Sequence, residues 1–546
     1  MLFFQSFRRS AGVLSVAIAA LLALPVLWVA ASLAQPASDV WRHIASTLLG
    51  AYVANTAILV ALVACGVLSI GVLSAWLIAS YRFPGARVLE WALVLPLAMP
   101  AYVMAYAYTD WLQFTGPVQG ALRLLTGWQA REYWFPEIRS LGGAAVVLAL
   151  ALYPYVYLIA RTAFREMPRS SLEAGRLAGL SAWGTFFGVA LPLARPAIAA
   201  GTALALMETL ADFGTVSYFA LEVFTTGIFK AWLAMGDRVA AAQLSSCLLG
   251  FVVLVIALER ASRGRAAFHA TAPAKPVPPQ LLRGGAAALA TLACALPVLL
   301  GFVVPVAILV ELAASEPQLR WSARLVGLVG NSFTVSGVTA VAAVLLALVM
   351  AYAARLSRSR VALTANRVAA LGYAMPGAVI AIGVLVPLAQ LDNWLAGLVE
   401  SVTGAPSGLL LTGSIAALVY ALLVRFLAVA LSTTEAGLAR ITPSMEDAAR
   451  SLGASPAATL ARVHAPLVAR SLATAGLLVF VDVMKELPAT FALRPFNFDT
   501  LAVQAFNLAS DERLAEASTA ALTIVAAGLL PIIVLSRMML RPRSGT

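Results

Sequence analysis

Four carboxylates lie where a carboxylate is expensive to keep. Glu208 with Asp212, and Asp482 with Glu486, fall inside two strongly apolar stretches, each pair four residues apart and so on one face of a helix. At a rise of about 1.5 Å per residue, Glu208 sits near the middle of its stretch. A charged group at the centre of a bilayer costs a few kcal/mol, or on the order of 10 kcal/mol for four, unless it is paired, protonated or hydrated. Two readings follow. Either the four line a water-filled path, where oxygen donors suit the transit of a hard cation, or they make interhelical hydrogen bonds and pair with Lys485.

A second pair of matched segments is polar. Glu173-Ala174-Gly175-Arg176-Leu177-Ala178-Gly179-Leu180-Ser181 runs on to Leu191-Pro192. Asp447-Ala448-Ala449-Arg450-Ser451-Leu452-Gly453-Ala454-Ser455 runs on to Ala465-Pro466. Both read acidic, small, small, Arg, three residues, Gly. Pro168 and Pro443 stand near helix starts, and a carboxylate in the first turns suits the positive end of the helix dipole. The pattern predicts a short helix stopping at Gly179 or Gly453, where a left-handed cap is easy for glycine. Ser181, and Ser455 followed by Pro456, then cap a second helix that ends near Pro192 or Pro466. Such a helix–turn–helix knuckle is too polar to insert and lies parallel to a membrane. Repeated twice, it reads as a docking surface; the plainer reading is a pair of amphipathic loops left by duplication.

Other chemistry has little to work with. The lysines are Lys230, Lys275 and Lys485, and none follows a glycine, so the phosphate-gripping G-x-x-x-x-G-K-[ST] loop is absent from the sequence. His43 is placed outside, His269 in a linker and His464 in the second knuckle, each read as a solvated or loop residue, so a membrane-embedded enzyme finds no nucleophile–base or metal constellation. Cys65, Cys247 and Cys294 are far apart in apolar stretches and read as core packing.

The elements that must hold these residues are membrane helices. Of 546 residues 61% are hydrophobic and 11% charged, too few polar groups to cover a soluble globule of this length. Twelve apolar stretches of spanning length are predicted near 11–34, 48–79, 89–112, 141–163, 193–221, 238–259, 284–313, 328–354, 365–391, 409–433, 466–493 and 514–537. The first follows Arg8 and Arg9 and precedes a cleavage-like Ser32-Leu33-Ala34, but its apolar run is too long for a signal sequence and reads as an uncleaved anchor. The formal charge of +12 is a topology signal. With the N-terminus in the cytoplasm, Lys and Arg concentrate in inside loops, so the basicity requires no nucleic acid.

Residues 260–283 carry a Pro-rich run, Ala272 to Pro279, that cannot be a membrane helix, and they divide the chain into halves at 1–259 and 284–546. At an offset of about 275 residues, Asn55-Thr56 meets Asn331-Ser332, Met99-Pro100 meets Met375-Pro376, and Leu191-Pro192 meets Ala465-Pro466. Six crossings per half make the repeat parallel, so both knuckles face the same compartment. The fold class is an all-α membrane protein of two six-helix repeats.

The knuckle resembles the EAA motif of ABC importer permeases, in which a short coupling helix sits in a groove of a nucleotide-binding subunit. Glu173, Ala174 and Gly179 match it in the first copy, and Asp447, Ala448, Ala449 and Gly453 in the second. Gly175 stands where the second alanine is expected and Asp447 where glutamate is usual, departures that would make the two docking sites unequal. Segments 208–215 and 485–490, with Thr225-Thr226-Gly227-Ile228 and Phe498-Asp499-Thr500-Leu501, resemble the fused two-domain ferric iron permeases. That resemblance implies a multi-pass protein of the bacterial inner membrane with cytoplasmic termini. It also implies two copies of a cytoplasmic ATP-binding subunit carrying ATP and Mg, and a periplasmic binding protein meeting the outside loops 113–140, 222–237, 391–408 and 494–513. No catalytic residue, cofactor or permanent metal is expected on this chain. Thiamine and phosphonate permeases share the fused architecture, and a proton-coupled secondary transporter is the rival from another class.

Overall fold

The computed structural model describes residues 2–129, 132–167, 169–263, 280–315, 322–357, 359–404, 408–439 and 441–540. Among these, strand is confined to one parallel pairing of Tyr81–Arg82 with Gln280–Leu281, and helix dominates. Among the described residues, eleven helices are long and apolar enough to cross a membrane, and a bent pair, Ala86–Ala98 with Ala101–Thr126 at 92°, makes up to twelve. This is the all-α membrane architecture expected from the apolar runs.

Proline sets where several helices start. Pro100 takes φ −60°, ψ 139° and opens Ala101–Leu112; Pro376 takes φ −58°, ψ 138° and opens Gly377–Thr403. Each follows a single 3-10 turn, Leu95–Ala98 or Leu371–Ala374. Extended backbone at these prolines interrupts the helix, so the ninth span starts at Gly377 and not near 365 as predicted.

The fifth and eleventh spans are shifted the other way, to Trp183–Ala211 and Leu460–Met484. Pro192 and Pro466 do not end the second helix of either knuckle. Five-residue π-turns, Phe186–Ala190 and Leu460–His464, precede them, and the N–H groups of Leu191 and Ala465 reach back to the carbonyls of Phe186 and Leu460. A proline, lacking an N–H, then fits the first turn of the next helix. The second helix of each knuckle and the span after it are therefore continuous.

The chain forms two compact units. One comprises 1–42, 228–246 and 321–504; the other comprises 43–227, 247–320 and 505–546. In the first, Leu2–Ala31 packs on Ala323–Ser357, Arg360–Ala370 and Gly377–Thr403. Gly383 admits the backbone of Pro25 where a Cβ would overlap it, Ser15 Oγ donates to Asn366 Oδ1 at 2.9 Å, and Tyr420 Oη donates to the Leu21 carbonyl at 2.5 Å. In the second, Leu49–Ser80 packs along Leu141–Arg165, and Gly66 and Gly71 sit hard against Ala149 and Val156. Glu90 pairs there with Arg161, and with Arg165 at 3.0 Å. Gly284–Val298 packs on Leu49–Ser80, and Leu514–Leu540 on Val304–Ser315. Each unit thus draws helices from distant parts of the sequence.

Of the predicted linker 260–283, residues 264–279 lie outside the described residues; beyond them, Leu282 N–H donates to the Arg82 carbonyl at 2.9 Å. All three cysteines are free. Cys294 is buried and Cys247 partly so, but Cys65, expected in the core, is exposed. It shares its helix with exposed Val53, Ile58, Leu62 and Leu73. A face of that composition is what lipid covers.

Candidate functional site

The two knuckles are built alike. Their first helices are Arg169–Leu177 and Pro443–Ser451, and Pro168 lies outside the described residues. Gly179 and Gly453 follow at φ +81° and +80°, with nothing among the described residues within 4 Å of an added Cβ, so the backbone there calls for glycine. Leu180 N–H donates to the Gly175 carbonyl at 3.1 Å, and Ala454 N–H to the Ala449 carbonyl at 3.0 Å, the six-to-one bond of a Schellman stop. The serines then cap as predicted: Ser181 Oγ accepts from Gly184 N–H at 3.1 Å and Ser455 Oγ from Ala458 N–H at 3.2 Å.

Glu173, Asp447 and Ala448 are exposed. Ala174, Arg176 and Arg450 lie on the same helices, with side chains outside the described residues. Gly175 and Ala449 occupy equivalent buried positions. A Cβ at Gly175 would stand 3.1 Å from Val189 Cγ2, so the departure from alanine lets the first helix sit closer to its neighbour. The motif left one pair unnoticed. Leu177, the last residue of its helix, is 89% exposed and Leu452, one residue past its helix, is 87% exposed, at positions that do not match but that both lie shortly before the glycine stop. That isolation was the available signal.

The knuckles differ in what anchors them. The first is held by aromatic rings, with Trp76 5.2 Å from Phe164 and 5.1 Å from Phe186 between centroids. The second is held by charge. Arg355 donates from Nε to Glu446 Oε1 at 2.5 Å, from Nη1 to the Leu438 carbonyl at 2.5 Å and from Nη2 to the Ile441 carbonyl at 2.6 Å. His464, expected to be solvated, is fully buried against the Tyr352 ring, and its Nε2 lies 3.4 Å from Glu446 Oε1. The π-turn carries it inward, since the segment read as a loop is helix. Replacing Arg355 with Met removes three bonds at once and is expected to loosen the second knuckle alone. At a net cost of about 2 kcal/mol, amides of Met445–Ser451 would lose roughly thirtyfold of their hydrogen-exchange protection while those of Arg169–Leu177 keep theirs.

The four carboxylates separate into two roles. Asp212 Oδ1 accepts from the N–H groups of Thr215 at 3.0 Å and Val216 at 3.2 Å, and Oδ2 from Thr215 Oγ1 at 3.0 Å. Glu486 Oε1 accepts from Ala489 N–H at 2.8 Å, and Oε2 from the N–H and Oγ1 of Thr490 at 2.9 and 2.7 Å. Both cap the short helix after their span, Gly214–Tyr218 or Pro488–Leu493. Arg425 Nη1 adds a contact to Glu486 at 3.3 Å. Glu208 and Asp482, one turn earlier, are only partly buried, and Asp482 pairs with Lys485 at 3.0 Å. Near Asp212 the Tyr106 ring lies 5.7 Å from Tyr102 and 4.7 Å from Tyr218, and its buried hydroxyl has no hydrogen-bond partner among the described residues. The i, i+4 spacing of Tyr102 and Tyr106 was visible in the sequence.

Matched side chains also tie down the segments that follow. Asn55 Nδ2 donates to the Glu222 carbonyl at 2.8 Å and Asn331 Nδ2 to the Asp499 carbonyl at 2.9 Å. Thr56 Oγ1 accepts from Phe224 N–H at 3.4 Å and Ser332 Oγ from Leu501 N–H at 2.8 Å. The outside loops predicted at 222–237 and 494–513 therefore contain helices, Phe224–Phe229 and Leu501–Ser510, with Ile228, Leu501, Ala502 and Val503 fully buried. Their apolar runs pack instead of facing water.

Residues 67–262, which include the first knuckle, match the family model described as binding-protein-dependent transport system inner membrane component. The chain is 26% identical over 488 residues to the Fe(3+)-transport system permease protein of Haemophilus influenzae, covering 88% of this chain and 89% of that protein. Over 192 residues it is 29% identical to the sulfate transport system permease protein of Escherichia coli, covering 34% of this chain and 66% of that protein. Over 209 residues it is 29% identical to the molybdenum transport system permease protein of Escherichia coli, covering 36% and 88%.

Proposed function

We propose that this chain, which belongs through residues 67–262 to the binding-protein-dependent transport system inner membrane components, is the permease of an ATP-driven ferric iron importer. Similarity to an Fe(3+)-transport permease along 88% of the chain supports the substrate. The observation that carries the mechanism is the twin knuckle, with the same glycine stop and serine cap twice over and an exposed leucine shortly before each glycine.

Each knuckle seats a separate cytoplasmic ATP-binding subunit, two copies in all, with Leu177 and Leu452 as the apolar contacts and the Glu173 to Gly179 and Asp447 to Gly453 helices as the rigid tips. ATP and Mg belong to that subunit, since this sequence has no phosphate-gripping loop. Because the second helix of each knuckle runs into a span through a π-turn, movement of that helix is passed to the span. Asp212 and Glu486 hold the turn at its far end; Glu208 in one unit and Asp482 in the other each offer an oxygen donor to the passing ion. The halves 1–259 and 284–546 act as parallel repeats with both termini in the cytoplasm, supported by the matched asparagine and knuckle bonds. A periplasmic binding protein delivers the ion to the opposite face.

Reconstitution in proteoliposomes tests this. Radioactive ferric iron uptake is expected only with ATP, the ATP-binding subunit and the binding protein together. Uptake driven by a pH gradient without the ATP-binding subunit would overturn the reading in favour of a secondary transporter. Burying a leucine is worth about 1.5–3 kcal/mol, so Leu177→Asp and Leu452→Asp should each weaken capture of the ATP-binding subunit by roughly tenfold or more.

A further inference from the structure

The helix Pro117–Thr126 is amphipathic the wrong way round for water. Its polar residues point inward. Gln119 is buried, donating from Nε2 to the Leu112 carbonyl at 2.8 Å and accepting at Oε1 from Tyr133 Oη at 2.8 Å. Arg123 Nη1 donates to Tyr133 Oη at 2.9 Å, with its guanidinium carbon 4.5 Å from the centroid of the Phe114 ring. Its apolar residues point outward. Pro117, Ala121, Leu124 and Leu125 are exposed at the spacing of one helical face, and Trp128, past the left-handed stop at Gly127, is exposed as well. Leu124 is 88% exposed, Leu125 86% and nearby Trp134 85%. None of the five carries a charge.

Gly116 fixes where that face goes. A Cβ there would lie 2.5 Å from the Asp110 carbonyl oxygen and 2.7 Å from that of Trp111, so only glycine lets the chain double back so tightly at the end of Ala101–Leu112. The helix is thereby held beside the end of a membrane segment.

We propose that Pro117–Trp128 lies in the headgroup region of the adjacent phospholipid leaflet, with Leu124 and Leu125 in the acyl boundary and Trp128 and Trp134 at headgroup depth. This rests on the membrane-spanning reading and goes beyond it. Lipid is the occupant because the face is uncharged, is flanked by tryptophans and continues from a membrane helix, as in interfacial helices.

The test uses the full chain in phospholipid vesicles, with its three cysteines replaced by serine and one cysteine introduced at Leu62, Leu124, Leu125 or Gln129. Each carries a polarity-sensitive fluorophore, read against lipids bearing a shallow acyl-chain quencher, with gel filtration confirming folded protein. Labels at Leu124 and Leu125 are expected to be quenched severalfold more than at Gln129, without binding protein. Water-like emission at both, with Leu62 quenched, would overturn this inference and leave the membrane reading standing; an unquenched Leu62 would overturn the membrane reading itself. A shift to apolar emission only on adding binding protein would assign the face to that protein and overturn the lipid assignment.

Discussion

Gly453→Val is expected to weaken association with the ATP-binding subunit about tenfold, whereas Gly453→Asn stays within about threefold of the parent. A left-handed backbone costs an ordinary L-residue roughly 1–2 kcal/mol, and asparagine tolerates it best after glycine. Since an added Cβ at Gly453 meets no atom within 4 Å, the valine penalty comes from φ alone. The nine-residue helix Pro443–Ser451 ends through the Ala454 to Ala449 bond, which a residue forced out of φ +80° would break. Gly179→Val acts in the same way through the Leu180 to Gly175 bond. The knuckles are separate sites, so the double variant should lose about a hundredfold. Co-purification and ATP-driven uptake read the effect; equal loss for Asn and Val at Gly453 would mean that side-chain volume at the partner matters and the cap does not.

Why the knuckles were legible and much else was not comes down to sequence separation. The bonds that stop and cap each knuckle span three to five residues, from Gly175 to Leu180 or from Ser181 to Gly184, so local propensity states them. Arg355 reaches Glu446 across 91 residues, and nothing near either residue announces the other. His464 was misplaced because a proline two residues later looked like a helix end, when a π-turn absorbs it. The exchange of helices between units leaves no mark on hydropathy, since a helix packed on a distant partner reads like one packed on its neighbour. The carboxylates are an intermediate case. Their i, i+4 spacing was visible, and so was Thr215 three residues after Asp212 and Thr490 four after Glu486. An acid just ahead of a short helix signals capping, but inside an apolar stretch the cost of burial points equally to a water-filled path.

Glu486→Ala is expected to be the most damaging single change, at about 3–5 kcal/mol. It removes the acceptor for two backbone N–H groups and the Thr490 hydroxyl, and the carboxylate that contacts buried Arg425. Breaking a buried ion pair from one side costs about that much, before any loss from the cap. Gly377 adds to the constraint, because a Cβ there would stand 2.7 Å from Glu486 Oε1, leaving no slack for a rearranged carboxylate. Glu486→Gln keeps the size and one acceptor oxygen and should lose roughly half as much. Asp482→Asn behaves differently, since its partner Lys485 is partly exposed and a pair of that kind adds about 1 kcal/mol or less. The protein should therefore purify intact, and if Asp482 lies on the path its ferric uptake falls about tenfold, as one lost ion–oxygen contact worth about 1.4 kcal/mol would require. Thermal unfolding in detergent beside transport in vesicles separates the two carboxylates: an Asp482→Asn variant that transports normally removes it from the path, and a Glu486→Ala variant as stable as the parent refutes the cap.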